Sequence, residues 1–187
     1  IQDNFDMMRL ALADAAAEHD LLITSGGMST GDEDHVKAAI ESLGSLHFWR
    51  LAIKPGRPVA LGQIDTSMGT VPFAGLPGNP VAAMVTFLVV ARPLILRLSG
   101  ATDVTPISYR VRAGFNHSKK VNRREFVRAR IVVDSNGQLI AEKHGRSGAG
   151  VLSSLVGADG LVTLPEDMTH LEAGSMVDFL PVTEVMP

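Results

Sequence analysis

The chain has 187 residues, 45 % of them hydrophobic and 20 % charged, with a formal charge of −3. That length suits one or two domains with a buried core, and the slightly acidic balance argues against a dedicated nucleic-acid binder. There is no cysteine, which removes disulfides and thiolate metal sites and is compatible with a reducing cytoplasm.

No basic, then apolar, then small-residue leader opens the chain. It starts on Ile1 and runs at once into a helical pattern, which predicts a fragment of a longer protein. Phe5, Met8, Leu12 and Ala15 recur at helical spacing and predict a helix over residues 3–18. Leu21-Leu22-Ile23-Thr24 is a short apolar run of buried parallel-strand type, and it leads into a glycine-rich loop over residues 25–34. Val36, Ala39, Ile40 and Leu43 share one face of a second helix, with Gly44 as its stop. Residues 46–53 read as a strand that Lys54-Pro55-Gly56-Arg57-Pro58 breaks. Residues 59–64 and 71–74 read as two more strands.

Phe73 to Ala82 is the most organised stretch. Asn79 is a favoured N-cap and Pro80 a favoured first helical residue, so strand, tight loop and helix follow one another. A helix start beyond a strand end exposes backbone N–H groups to which anions bind readily. Residues 80–98 are apolar nearly all round, which predicts a buried helix or an oligomer interface, kinked at Pro93 and ended by Gly100. The apolar run over residues 81–91 is too short to span a bilayer, so no membrane is expected. This order predicts an α/β layer domain over residues 1–101.

From residue 102 the texture changes. Ile107, Tyr109, Val111 and Ala113 alternate with Ser108, Arg110 and Arg112; Val127, Ala129, Ile131 and Val133 alternate with Arg128 and Arg130. Asp134-Ser135-Asn136-Gly137 is a hairpin turn, and residues 160–164 and 176–180 supply further strands. A small all-β barrel or sandwich over residues 102–187 is expected. Its first half is basic, with Glu125 the only acid between Ile107 and Val133. A solvated face explains this most simply, and Phe126 is the one ring expected on it, with Tyr109 on the apolar face. One ring is a thin platform for single-stranded nucleic acid.

Candidate chemistry gathers in three places. The loop containing Ser25, Gly26, Gly27, Ser29, Asp32, Glu33 and Asp34 precedes a helix, as does Pro77-Gly78-Asn79. Two such loops at strand ends can lie side by side where open α/β sheets bind ligands. Acids at a helix start are favourable in themselves, and Thr30 with Glu33 fits a capping box. Alternatively, one or two of these acids hold Mg²⁺ against phosphate oxygens. Lys54 and Arg57 flank a Pro-Gly turn and could both face one anion. The six histidines lack metal-ligand spacing, and no serine-hydrolase pattern is present.

Thr24-Ser25-Gly26-Gly27-Met28-Ser29 with Gly31 and Asp34, then Lys54-Pro55-Gly56-Arg57-Pro58, then Leu76-Pro77-Gly78-Asn79-Pro80-Val81, resemble the molybdopterin molybdenumtransferase family (MoeA and the gephyrin E domain). Ser147-Gly148, Leu152-Ser153-Ser154 and Ala158-Asp159-Gly160-Leu161 resemble that family's C-terminal module. The resemblance implies a molybdopterin-binding, MoaB/MogA-like three-layer α/β domain, truncated at its N-terminus, followed by a β-barrel. It further implies Mg²⁺-dependent insertion of molybdate into adenylylated molybdopterin with release of AMP, in a cytoplasmic homodimer, with a molybdopterin adenylyltransferase and molybdoenzymes as partners. Asp34 matches the family's functional aspartate, with Asp32 beside it as a further metal ligand, and Pro77 and Pro80 match prolines that shape the site. Lys54 then joins the catalytic set, and Ser25, Gly26, Gly27, Ser29, Arg57, Gly78 and Asn79 the substrate-binding set. Ala82 stands where many members have serine. The family's preceding acidic strand and two N-terminal domains are absent from this sequence, so part of the catalytic site is expected to be missing. The alternatives are an adenylyltransferase-like or nucleotide-acting enzyme of the same fold, and a gephyrin-like peptide-binding scaffold.

Overall fold

A computed structural model describes residues 4–27, 35–145 and 155–184. They fall into two units: Ile1–Leu51 with Gly56–Thr102, and Ala52–Pro55 with Asp103–Pro187. Four residues in the middle of the first sequence segment therefore belong to the second unit.

The first unit opens with α1 (Phe5–Glu18), capped by Asn4, whose extended backbone lets Oδ1 accept from the Met7 N–H at 3.2 Å. It continues through β1 (Leu22–Ser25), α2 (His35–Leu43) and β2 (Gly44–Arg50). After β3 (Ile53–Lys54), which is part of the other unit, come β4 (Pro58–Thr66) and β5 (Gly69–Leu76). Then α3 (Pro80–Thr86), a π-helical turn (Phe87–Ala91) and α4 (Arg92–Leu98) run as one rod. The sheet order is β1-β5-β4-β2. β1 lies parallel to β5, while β4 is antiparallel to both its neighbours.

Period-two alternation puts two cores on the two faces of this sheet. Ala60, Ile64 and Phe73 face Leu12 and Ala16 of α1 and Val36, Ala39 and Ile40 of α2. Val59 and Leu76, one residue or three out of phase with these, pack with Ala91 and with Ala83, Phe87 and Val90 of the rod. Helix, sheet and helix form three layers.

Two local expectations change. Gly44 does not cap α2 but begins β2. A Cβ there would run into the Gln63 carbonyl, and one at Gly62 into the Ser45 carbonyl. Both glycines let β2 and β4 approach closely. The rod does not simply kink at Pro93. The ladder widens in the turn just before it, where the Arg92 N–H donates to the Phe87 carbonyl, five residues back. Proline has no N–H to donate and its ring crowds the carbonyl one turn earlier, so a wider turn relieves both problems. Past Leu98, Gly100 (φ +89) closes the helix with bonds from its own N–H to Arg97 O and from Ala101 N–H to Leu96 O. Because the helix carries on through Arg92 and Pro93, it reaches 19 residues with mean hydropathy 2.0, a bilayer-spanning length and composition that the 81–91 run lacks. Val81, Val85, Leu88 and Ala91 on it are buried within the unit.

The second unit contains β6 (Tyr109–Ala113), β7 (His117–Ser118), β8 (Arg124–Val133), β9 (Leu139–Lys143), β10 (Gly160–Leu164), β11 (His170–Leu171) and β12 (Met176–Pro181). The order β10-β12-β6-β9-β8 closes on itself because β10 also pairs with β8, giving a five-stranded barrel. Closure removes the exposed edges an open sheet would present. Val111, Ala113, Val127, Ala129, Val162, Leu164 and Phe179 fill it, and β7 pairs with β11 in a separate ribbon. β3 adds parallel to the start of β8, with Ile53 opposite Arg124 and Lys54 opposite Glu125.

The alternation read for the barrel holds at Val111 and Ala113 and at Val127 and Ala129. Tyr109, expected inside, is exposed at the start of β6, where its hydroxyl donates to Glu184 Oε1 at 3.1 Å. Phe126 and Arg128, expected outside, are buried, so β8 is covered on both faces from Glu125 to Ala129. Arg124 and Arg130, on either side of this stretch, are exposed, so the cover over the outer face is confined to the middle of β8.

Glu125 is the buried acid of this unit, its side chain 3 % exposed. Its Oε1 accepts from Arg123 Nη2 at 2.7 Å and Nε at 2.9 Å; its Oε2 meets His117 Nε2 at 3.1 Å and Lys54 Nζ at 3.2 Å. Burial alone would raise its pKa. Hydrogen bonds from His117 and Lys54, the Lys54 charge and a hydrogen bond from Arg123 outweigh that and hold it below the ordinary carboxylate value.

Gly62→Ala is expected to lower stability by roughly 1–3 kcal/mol, because the β2–β4 spacing must open, and a urea titration of the chain measures it. Glu125→Gln is expected to lower stability by about 1–3 kcal/mol at neutral pH. Since the folded pKa lies below the unfolded one, that contribution is full above the unfolded value of about 4.5 and is lost as pH falls through the folded value. Thermal melts of the two proteins should therefore converge below pH 4.5; a constant gap down to pH 3 would contradict the charge-based account.

Candidate functional site

The parallel pairing of β1 with β5 sets Ser25 opposite Leu76, so both strands end at the same level. The chain leaves β1 through Gly26 and Gly27, both at positive φ (+85 and +67), and leaves β5 through Pro77 and Gly78. The Gly26 N–H donates to the Leu76 carbonyl at 3.1 Å. A Cβ placed on Gly78 would lie 3.3 Å from the Gly26 Cα, and one on Gly26 would lie 3.7 Å from the Gly78 Cα. The two glycine loops read from sequence thus abut, backbone against backbone, and side chains at either position would crowd the contact.

Pro77 is buried, and Gly78 is exposed beside it. Asn79 caps α3 with extended geometry (φ −75, ψ 124), its Oδ1 accepting from the Ala82 N–H at 3.3 Å and its carbonyl from the Ala83 N–H at 2.7 Å. Pro80 at the first turn has no N–H to give. The cap therefore uses the Ala82 N–H, one of the donors that the sequence reading leaves for an anion, and with Pro80 lacking another the helix start is a less generous anion site than expected. Ala82, where a hydroxyl is common in the resembled family, is buried. Thr24 Oγ1, at the end of β1, is buried with no hydrogen-bond partner among the described residues. A buried unpaired hydroxyl next to a ligand-type loop is a polar group in want of a partner.

Ser29, Asp32, Glu33 and Asp34 lie outside the described residues, as do Ser147, Gly148 and residues 152–154. Among the described residues, no group of three or more His, Asp or Glu side chains is placed to hold a metal.

Lys54 and Arg57 do not share one unit. Arg57 is exposed in the first, and its carbonyl accepts from the Leu51 N–H at 2.7 Å, closing the loop across the excursion to β3. Lys54 belongs to the second, where Glu125 holds it while half of its side chain stays in solvent. This cluster of Glu125, Arg123, His117 and Lys54 is what residue-by-residue reading missed. A lone acid in a basic stretch was its signal.

Most of the rest of the basic stretch is engaged within the barrel unit. Arg110 pairs with Asp178 and Arg124 with Glu166, both at 3.1 Å. Arg112 donates to Gln138 and to the Gly174 carbonyl, Arg130 to the Gly157 carbonyl, and Lys119 to the Pro165 and Met168 carbonyls. Cations committed to internal partners make a poor nucleic-acid surface. A cavity of about 940 Å³ in the first unit opens at the other end of its strands, lined by Leu21, Ile23, Met68, Pro72, Ile95 and Leu98 among others. Glu18, His19 and Asp20, at the end of α1 and just after it, also line it.

Residues 1–97 match a family described as a probable molybdopterin binding domain, and residues 110–182 match the MoeA C-terminal region, domain IV. A molybdopterin molybdenumtransferase of Haemophilus influenzae is 34 % identical over 187 residues, covering 100 % of this chain and 45 % of that protein. The molybdenum cofactor synthesis protein cinnamon of Drosophila melanogaster is 38 % identical over 168 residues, covering 88 % of this chain and 27 % of its own. The crystal structure of a molybdopterin biosynthesis MoeA protein from Pyrococcus horikoshii superposes with a TM-score of 0.73 at 26 % identity, over 96 % of this chain and 41 % of that one. The chain thus spans less than half the length of these relatives. Two abutting glycine loops in a three-layer unit, a five-stranded barrel after it and both family matches in that order place this chain in the molybdopterin-binding domain family, with the MoeA C-terminal region as its second part.

Proposed function

We propose that this chain is the part of a molybdopterin molybdenumtransferase that receives adenylylated molybdopterin and takes part in inserting molybdate into it, with Mg²⁺ and with release of AMP, in molybdenum cofactor biosynthesis. The observation that carries the reading is the contact of the Gly26-Gly27 and Pro77-Gly78-Asn79 loops at the ends of two parallel strands. Open α/β sheets take their ligands at such strand ends, and backbone this bare lets a phosphate-bearing ligand approach closely.

In this reading Ser25, Gly26, Gly27, Ser29, Gly78 and Asn79 bind the pterin and its phosphates. Pro77 and Pro80 fix the path of the second loop, and the unpaired Thr24 hydroxyl is a further donor to the same ligand. Asp34, with Asp32, holds Mg²⁺, which neutralises phosphate charge when bound. Carboxylates suit that ion, and a loop starting at Gly27 carries them next to the phosphate site in sequence. Arg57, as a fork, and Lys54, as a point charge, are each suited to attract an oxyanion, molybdate or phosphate. The complete protein works as a cytoplasmic homodimer, taking its substrate from a molybdopterin adenylyltransferase and passing its product to molybdoenzymes.

Gly78→Val, by forcing the two loops apart, is expected to weaken adenylylated molybdopterin binding by about tenfold or more, or ~1.4 kcal/mol; calorimetry on the complete protein would read it. Asp34→Asn should abolish Mg²⁺-dependent molybdenum insertion while leaving the circular dichroism spectrum and melting temperature unchanged. Insertion at the wild-type rate by that variant would remove Asp34 from the mechanism.

A further inference from the structure

The Glu125 cluster holds more positive charge than a buried carboxylate needs. Arg123 places two nitrogens on Oε1, at 2.7 and 2.9 Å, and this fork is already a strong partner for one carboxylate. His117 meets Oε2 at 3.1 Å. Lys54 is the third group and the longest contact, at 3.2 Å. Arg123 and Lys54 alone set two cations against one carboxylate, which leaves positive charge in excess.

That excess is not spread evenly. Side-chain exposure rises from 3 % for Glu125 through 13 % for His117 and 21 % for Arg123 to 51 % for Lys54. The member facing water is therefore Lys54. A lysine ammonium on a free four-carbon stem samples many positions, but this one is tied at both ends. Its backbone is fixed by the β3–β8 register and by the Arg124 N–H bond to the Ala52 carbonyl at 2.8 Å. Its nitrogen is fixed by an acid that Arg123 and His117 in turn hold still.

We infer that Glu125 is a positioning residue for Lys54, holding its ammonium ready to meet an oxyanion of the reaction. The inference rests on the role given above to Lys54. A preorganised cation stabilises incoming negative charge without having to be ordered at that moment. If the cluster only neutralised a buried acid, Lys54 would be the dispensable partner, since Arg123 and His117 already satisfy both oxygens. The oxyanion is molybdate or a phosphate of the pterin nucleotide, and the two are separable by experiment.

The test is a double-mutant cycle in the complete protein with Lys54→Ala, Glu125→Gln and the pair, following initial rates of molybdenum insertion against molybdate and against adenylylated molybdopterin. Lys54→Ala should lower kcat/KM by about thirtyfold or more and Glu125→Gln by about tenfold, and the pair should be no worse than Lys54→Ala alone. A raised KM for molybdate with an unchanged KM for the pterin assigns the oxyanion as molybdate; the reverse assigns the phosphate. If Glu125→Gln costs the same factor in the Lys54→Ala background as in the wild type, Glu125 acts only on the fold and the inference is overturned. If Lys54→Ala inserts metal at the wild-type rate, the role of Lys54 itself is overturned and this inference with it. Should Glu125→Gln not accumulate as folded protein, Glu125→Asp, which keeps the charge but shortens its reach, enters the same cycle with the same two outcomes.

Discussion

The parallel pairing of β1 with β5 is the constraint on which the site depends. Antiparallel neighbours would send the two loops to opposite ends of the sheet. Parallel neighbours in matched register deliver both to one end, and here Ser25 and Leu76 finish level. The glycines then become necessary, because two chains leaving adjacent strands at the same height must pass within van der Waals contact. The helices on the two faces secure the strands that make this pairing, through two separate apolar cores. Fold and site are linked by register: slipping β1 by one residue would turn Leu22 out of the core and separate Gly26 from Gly78.

The barrel unit solves a different problem, that of holding charge. Most of its cations are committed to acids or carbonyls of their own unit, and the buried acid is the point where Arg123, Lys54 and His117 meet. A buried ion pair is weak grounds for added stability, since desolvation consumes much of the attraction. Its better-attested use is to fix geometry, which fits an arrangement where the least buried member is a lysine.

Much of this was legible in the sequence because it rests on local chemistry. Asn79-Pro80 marks a helix start through cap and ring sterics alone, and the period-two runs at Val111–Ala113 and Val127–Ala129 mark strands facing a core. The helix rod, the loops on either side of it and the change of texture after residue 101 follow in the same way. What failed depends on neighbours far away in the chain. Gly44 carries the same composition signal whether it caps a helix or admits a strand, and only its partner Ile64 decides. Phe126 and Arg128 alternate as an outer face would, yet both are buried, and nothing in the local pattern marks that face as covered. Lys54 and Arg57 are three residues apart, and nothing local says that the first pairs with a strand some seventy positions later while the second stays behind. The cap that makes Asn79 readable also uses the Ala82 N–H, which the same reading assigns to a ligand.

The four residues that the first segment lends to the barrel bear on how the molecule is made. Lys54 and Glu125 are 71 positions apart. At about 5–20 residues per second of synthesis, β3 leaves the ribosome some 4–14 s before its partner strand exists. Its neighbours at Leu51 and Arg57 can close their own loop in that interval, since that bond needs nothing further downstream. The nascent chain therefore carries Ile53 and Lys54 unpaired until β8 arrives to pair with them. No single cut in the gene frees an intact barrel: severing the chain after Ala101 leaves Glu125 buried without its lysine.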